Sequence, residues 1–416
     1  MSSNSPQREF AIEVVRKLRG AGHTALFAGG CVRDLLLGRP AKDYDVATTA
    51  TPEQVRDLFG HKRTLPVGAS FGVIVVIGPR EAGHVEVATF RTEGPYHDGR
   101  RPASVAFCTP EEDAQRRDFT INGMFYDPID ARVLDYVGGE ADLAARVVRA
   151  IGDPHERVRE DKLRMLRAAR FTATLDFTLE ERTAAAVHEM ADQLTVVSAE
   201  RIAQELKKML VDPHRRRAIE LCADVALLPL ILPELSSDAA ERETTLRMLS
   251  LLEQPSFELA FAALLHSLPA RPAVYDICRR LKLSNDESDR ITWLVAHQND
   301  LIDAPSQTLA RLKRTLAEPF RDDLINLLRV KLLATEANLR PVLFCDEYLT
   351  RTPQAIIDPP PWMTGDILKS LGLNPGPAFK SLLEAIRDAQ LNGQISSTEQ
   401  AIALAKDLVA GKPSGK

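Results

Sequence analysis

Residues Leu26–Thr48 read LFAGGCVRDLLLGRPAKDYDVAT: an apolar run, two glycines, an amphipathic stretch, then Asp43-Tyr44-Asp45. The pattern predicts a strand over Thr24–Ala28, a break at Gly29-Gly30 and a short helix through Leu37. Glycines at such a junction let backbone N–H groups approach a phosphate, and a helix start favours an anion. Arg33 falls one turn into that helix, within reach of the same phosphates. Two glycines alone more often mark a tight turn. The Asp-x-Asp that follows fourteen residues after the first glycine makes the case sharper. Asp43–Ala47 reads as a second strand, and residues i and i+2 of a strand share a face. Two carboxylates so placed repel unless a cation lies between them. Hard oxygen ligands of this kind suit Mg2+, which completes its shell with water and substrate phosphates. A pair of such ions can activate a 3′-hydroxyl and neutralise a leaving pyrophosphate.

Outward from this segment, the first part of the chain alternates strand-like and helical runs up to about Tyr136. Thr51-Pro52-Glu53 starts a helix, with Thr51 as its N-cap and Pro52 at the first helical position. FGVIVVI (Phe71–Ile77) and HVEVATFR (His84–Arg91) read as strands joined by a turn over Gly78–Gly83. Glu86, on the second of these, is a candidate third carboxylate for the metal; the alternative is a solvent-facing strand residue. After Asp142 strand-like runs vanish and apolar residues recur at three- and four-residue spacing to the end. Prolines 154, 213, 229 and 233 punctuate these helices, and breaks are expected near Gly138-Gly139, Pro229–Ser237 and Ala304–Ser306.

Composition restricts the function classes. The 416 residues exceed one small core and suggest two to four units. No apolar run approaches the ~20 residues of a membrane helix, and the polar Met1–Arg8 gives no secretory signal, so a cytoplasmic protein is expected. Five scattered cysteines without a C-x-x-C pair indicate neither a disulfide framework nor a zinc site. A net charge of −5 argues against coating nucleic acid through bulk charge, yet it leaves room for a local basic face. Between Ala145 and Arg170, seven Arg and one Lys stand against four acids, a net of +4. Arg215-Arg216-Arg217 is a second cluster, better read as a solvated face.

Two further constellations carry chemistry. QRRDFTINGM (Gln115–Met124) offers Arg116 and Arg117 as forks for a triphosphate or base. Asp118 and Asn122, one helical turn apart, suit a ribose hydroxyl; a surface turn would have the same composition. REDKLRMLRAARF (Arg159–Phe171) is expected as a helix on which Asp161, Arg164 and Arg167 step by three, with Met165, Leu166 and Ala169 turned inward. A salt-bridged surface helix accounts for the spacing. So does a carboxylate and a guanidinium side by side, which mimic the hydrogen-bonding edge of a base and could choose a nucleotide without a template.

Taken in order, these motifs resemble the class II tRNA nucleotidyltransferases (CCA-adding enzymes) and the related bacterial poly(A) polymerases, within the DNA polymerase beta superfamily. The family pattern GGxVRDxLLG…DxD, RRDFTIN and EDxLRxLRAxRF stands here at Gly29–Gly38 with Asp43 and Asp45, at Arg116–Asn122, and at Glu160–Phe171. The match runs from about Gly20 to Leu210, roughly half the chain. The resemblance implies an α+β fold: a polymerase-beta-like head with a small mixed sheet over residues 1–137, then an all-α neck (138–230), body (231–304) and tail (305–416). It implies that Asp43 and Asp45 bind Mg2+ and that Gly30 and Arg33 hold the triphosphate. Arg117 would contact the nucleotide, with Asp118 and Asn122 at the ribose. Asp161 and Arg164 would select CTP and ATP, steadied by Arg167 and Arg170. Partners implied are the tRNA 3′ acceptor end, CTP and ATP. VLDYVGG (Val133–Gly139) resembles the family's hinge, SAERIAQEL (Ser198–Leu206) its later helix-stabilising motif with Ser198 as N-cap, and TEGPYHDGRR (Thr92–Arg101) the loop of full CCA-adding members.

Some relatives carry an HD-type phosphohydrolase domain in the second half. Here His266 is followed by Ser267, and no histidine lies between Asp238 and Ala262, so a helical body without that metal site is expected. The activity expected is CCA addition. The rivals are a poly(A) polymerase, an enzyme adding only CC or only A, an inactive RNA-binding relative, and a small-molecule nucleotidyltransferase. The last two are disfavoured by the intact Asp43/Asp45 pair and by the Glu160–Arg170 motif.

Overall fold

The structure is a computed structural model that describes residues 5–68, 72–93, 105–374 and 376–410. The chain divides into two compact units, 1–233 and 234–416.

The first unit opens with α1 (Pro6–Gly20), a helix the sequence reading passed over. Ser5 caps it through the Arg8 amide, and Phe10, Ala11, Val14, Val15 and Leu18 form its buried stripe. Each of the larger side chains contributes roughly 1.5–3 kcal/mol on full burial. Strand β1 (Ala25–Ala28) and helix α2 (Gly30–Leu36) follow, then β2 (Asp45–Thr48) and α3 (Pro52–Phe59). Helix α3 starts as expected: Thr51 and Gln54 exchange side-chain hydrogen bonds with each other's amides. Next come β3 (Thr64–Gly68), β4 (Val73–Ile77), β5 (His84–Thr89), β6 (Arg91–Glu93), β7 (Val105–Phe107), α4 (Pro110–Gln115), β8 (Phe125–Asp127) and β9 (Arg132–Leu134).

Seven strands form one mixed sheet in the order β3-β4-β5-β2-β1-β8-β9. Among the described residues of this sheet, β2 and β5 run parallel and the other neighbours pair antiparallel. Central β1 is buried along its length, so both sheet faces are covered. Leu26, Ala28, Ala47, Phe90, Ala114 and Phe125 pack on one side. Strands β6 and β7 make a separate ribbon. The expected second strand is corrected at its start: β2 begins at Asp45, and Asp43 lies outside it.

Beyond the sheet come α5 (Gly139–Ala145), β10 (Val147–Val148), α6 (Pro154–Glu160), α7 (Leu163–Leu175), β11 (Thr178–Leu179), α8 (Glu181–Glu189), α9 (Ala199–Leu210), α10 (Arg215–Asp224) and a last short helix, Leu228–Ile231. The short parallel pair β10–β11 departs from the purely helical expectation. Its Val148 is buried, and the pairing carries the chain from α5 back against α7. The link from the sheet is tightly built. Asp135 accepts the amides of Val137, Gly139 and Glu140, and a Cβ on Gly139 would fall 2.3 Å from the Thr120 carbonyl oxygen.

The second unit is helical throughout its described residues, from Ala239–Leu251 to Thr398–Val409. Within it, Phe257–Leu264 is nearly all buried, and a further cluster gathers Met363, Leu368, Ile386, Ala389, Ile395, Ala401 and Ala405. Among the described residues, no helix is long and apolar enough to cross a membrane.

Candidate functional site

The site is built where β1 ends. Ala28 is the register partner of Asp45 on β2, and Asp45 is in turn the partner of Glu86 on β5. The chain turns at Gly29 with φ 71° and ψ −135°, a conformation suited to glycine. A Cβ at Gly29 would lie 3.4 Å from Arg117 Nη1 and 4.0 Å from Asp45 Oδ2; one at Gly30 would lie 3.6 Å from Arg33 Nη2. The backbone of the glycine turn thus faces one carboxylate and two guanidinium groups. Asp43, Asp45 and Glu86 are all solvent-exposed, while Tyr44 between the aspartates packs its ring on Phe27.

Electrostatics mark the same place. Asp45 is accessible on one side but walled by protein on the others. That desolvation, then Glu86, push its pKa up; Arg117 pulls it down, Asp43 adds to the rise, and the result is about 6. A carboxylate crowded in this way gains from a bound cation. Among the described residues no three His, Cys, Asp or Glu side chains enclose an ion. An open site with one or two carboxylates, completed by phosphate and water, is nevertheless the arrangement that suits Mg2+. The donor set therefore fits such an ion.

Arg117 is itself held. Helix α4, capped by Thr109 and Glu112, ends at Gln115 and leads into Arg116 and Arg117. Asp113 on that helix is 1% exposed. Its Oδ2 accepts Arg117 Nε and Nη2 at 3.1 and 2.9 Å; its Oδ1 accepts Arg116 at 3.0 and 2.6 Å and the Arg91 amide at 3.2 Å. Burial favours the neutral acid, but Arg117 and Arg116 overcome it and lower the pKa of Asp113.

Asp118 and Asn122 do not form a helical surface. They sit at a buried 3-10 turn, Thr120–Asn122. Asp118 Oδ1 takes the Phe119 amide at 2.8 Å and Asn122 Nδ2 at 3.1 Å; its Oδ2 takes Arg167 Nε at 2.8 Å. Asn122 Oδ1 accepts Arg33 Nη1 at 2.8 Å. Arg33, Asn122, Asp118 and Arg167 thus form one continuous chain of hydrogen bonds. Burial would raise the Asp118 pKa, yet Arg167, Asn122 and Arg164 hold it at about 2. The segment is pinned beyond the sheet by Thr120 N–H to the Arg149 carbonyl and Ile151 N–H to the Asp118 carbonyl.

The expected helix over Asp161, Arg164 and Arg167 needs correction. Helix α6 stops at Glu160, Asp161 is extended at φ −141° and ψ 105°, and α7 begins at Leu163. The break is stabilised because Asp161 Oδ1 caps the Leu163 amide at 3.1 Å and Arg201 grips both carboxylate oxygens at 3.1 and 2.7 Å. Nor is Arg164 in a direct pair with Asp161. Buried to 9% exposure, it donates to Glu160 at 2.5 Å and to the carbonyls of Arg157 and Arg116 at 2.9 and 2.8 Å. Met165, Leu166 and Ala169 face inward as expected. Arg170 meets buried Glu205 at 2.5 Å. Arg33, Arg167 and Arg170 all pack on the Phe171 ring, at 5.3, 5.2 and 4.0 Å from its centre.

Four residues here had no role of their own in the sequence reading: Asp113, and Glu160, Arg201 and Glu205, which lie within the quoted motifs. Asp113 and Glu160 had a signal, an acid three or four residues before an arginine. Arg201 and Glu205 lie in the motif Ser198–Leu206, but local spacing could not name their partners, which lie 40 and 35 residues away. Ser198 stands at the N-cap of α9 without a side-chain capping bond. The stretch Thr92–Arg101 begins on β6, and its residues from 94 onward lie outside the described residues.

Comparison with known proteins agrees with this geometry. Residues 25–149 match the poly A polymerase head domain, and 176–238 match the probable RNA and SrmB-binding site of polymerase A. The CCA-adding enzyme of Geobacillus thermodenitrificans is 33% identical over 95% of this chain and 96% of its own length. That of Lactococcus lactis subsp. cremoris (strain MG1363) is 33% identical over 94% and 93%. The crystal structure of the Bacillus stearothermophilus CCA-adding enzyme in complex with CTP superposes with a TM-score of 0.80 at 30% identity, covering 99% of both chains. The Thermotoga maritima CCA-adding enzyme complexed with tRNA, at 20% identity and a TM-score of 0.63 over 97% of this chain and 95% of that one, shares the fold. With motifs, fold and near full-length relatives in agreement, this chain belongs to the class II CCA-adding enzyme family, which shares its head domain with poly(A) polymerases.

Proposed function

We propose that this protein adds CCA to the 3′ end of tRNA, using CTP and ATP without a nucleic-acid template and releasing pyrophosphate. The observation that carries this reading is the convergence of the Gly29 turn, Asp45 and Arg117 at the end of β1. Each transfer forms a bond from the RNA 3′-oxygen to the α-phosphorus and breaks the bond to pyrophosphate.

Asp43 and Asp45 would hold Mg2+, with Glu86 beside them as the third candidate ligand. When bound, the ion supplies charge neutralisation for the phosphates and lowers the pKa of the attacking hydroxyl. The Gly30 backbone and Arg33 are proposed to seat the triphosphate, and Arg117 to contact the nucleotide. Asn122 and Asp118 would orient Arg33 and meet the ribose. Asp161 and Arg164 would present an edge to the base, held in place by Arg201 and Glu160, with Arg167 and Arg170 behind them. Residues 1–137 would form the catalytic head, 138–230 the neck that selects nucleotide, and 231–304 and 305–416 a helical body and tail that bind tRNA. A cytoplasmic location suits that substrate.

The test is elongation of a tRNA transcript lacking its last three nucleotides, with Mg2+ and with CTP and ATP supplied separately and together. Three added residues requiring both nucleotides support the reading. A long ladder with ATP alone would instead indicate a poly(A) polymerase, and CC alone or A alone a divided pathway.

A further inference from the structure

Asp113, which holds Arg117 beside the glycine turn, is 1% exposed, more completely buried than Asp118 at 8%. It binds Arg117 through Nε and Nη2, leaving Nη1 to reach the Asn122 carbonyl at 3.3 Å. The Phe125 ring lies beneath the guanidinium, 4.8 Å away. Arg117 Nη1 and Asp45 Oδ2 both lie within 4.0 Å of the point where a Gly29 Cβ would stand. The guanidinium therefore sits between two carboxylates, one buried and one exposed, and the buried one has taken it.

We propose that Asp113 is a positioning residue that anchors Arg117 and so keeps its guanidinium from pairing with Asp45, leaving that carboxylate available for a divalent cation. The inference rests on the metal-binding reading of Asp45. An anchored Arg117 would be held to meet a nucleotide phosphate while Asp45 stays available to hold the cation. Released from Asp113, the same arginine has Asp45 close by as an alternative anion, and a salt bridge there would compete directly with the ion. Mutation of the groups that keep metal ligands in place typically costs roughly ten- to hundredfold in metal affinity.

The experiment is Mn2+ binding to the full-length protein without nucleotide, read by loss of the free-ion paramagnetic resonance signal, on wild type, D45N, D113N, D113E, R117Q and D113N/R117Q. Thermal melting accompanies each variant. Expected are about tenfold weaker binding in D113N, partial recovery in D113E, and return to wild-type affinity or better in D113N/R117Q, because the competing cation is gone. R117Q alone should bind at least as tightly as wild type, an arm that leaves the buried Asp113 intact and stands even where D113N does not fold. Weak binding that persists in D113N/R117Q, wild-type binding in D113N, or weakened binding in R117Q would each overturn the inference. Loss of binding in D45N shows that the metal reading itself stands in any of those cases; wild-type binding in D45N would remove that reading and the inference with it.

Discussion

Asp45 and Glu86 are direct register partners on the parallel pair β2–β5 of the large sheet, two exposed carboxylates side by side with Asp43 two residues upstream of the first. Like charges side by side on neighbouring strands are destabilising. Asp45→Asn should therefore raise the metal-free melting temperature slightly while abolishing nucleotide addition. Differential scanning calorimetry in chelator, together with the elongation assay, checks both halves. A variant that loses stability, or retains activity, contradicts the assignment.

Glu86→Gln separates a ligand from a neighbour. As a participant in ion binding it should lower the elongation rate about tenfold or more at limiting Mg2+. Titration of Mg2+ from micromolar to saturating levels is the measurement, and an unchanged curve would reduce Glu86 to a bystander charge.

Base choice is expected to depend on how Asp161 and Arg164 are held. Arg164→Ala should reduce the preference for CTP and ATP over UTP and GTP by roughly tenfold or more, since one good bidentate contact is worth about 1–3 kcal/mol. Arg201→Ala should act in the same direction, because it frees Asp161 from its two-point grip. Misincorporation read by sequencing the extended 3′ ends tests both. Fidelity unchanged in each would remove the selection role.

Asp118 links stability to pH. Its folded pKa of about 2 lies below the ordinary aspartate value of 3.8. The ionised form is thus favoured in the folded state, and the stability it adds is present above pH 4 and is lost as pH falls through about 2. Asp118→Asn should cost roughly 2 kcal/mol at pH 7, and the gap to wild type should close between pH 4 and 2. Urea unfolding across that range would show it; a gap independent of pH would trace the loss to packing alone.

Gly139→Ala tests the link beyond the sheet. With a Cβ only 2.3 Å from the Thr120 carbonyl oxygen and 2.7 Å from Met124 Cγ, the backbone must shift. A loss of about 1–3 kcal/mol is expected, read as a fall in melting temperature. A neutral result would mean that the Gly138–Gly139 turn yields freely.

Much of the head was legible because its signals are local. Thr51-Pro52 announces its own helix, Gly29-Gly30 its own break, and the alternation in Val73–Ile77 and His84–Thr89 its own strands. Phe125–Asp127 and Arg132–Leu134 are three residues each, too short for a periodic signal, and acquire their strand identity from pairing. Asp161 was placed on a helix because no proline or glycine interrupts REDKLRML. The interruption comes from Arg201, forty residues later, and tertiary contact of that kind leaves no mark on local spacing. Asp113 is masked for the opposite reason: Pro110-Glu111-Glu112-Asp113 already makes sense as acids at a helix start, which outweighs its spacing of three and four residues to Arg116 and Arg117.

The Phe171 ring has a thermodynamic implication. Three long cationic side chains, drawn from α2 and α7, rest on one aromatic surface and are further fixed by Asn122, Asp118 and Glu205. Arginines ordinarily surrender rotamer freedom when a ligand arrives. Here folding has already removed that freedom. A nucleotide would meet a stiff cationic wall, so a poorly shaped one could not be rescued by side chains rearranging around it. Rejection would be decided by geometry at the moment of entry, with little entropy left to lose afterwards.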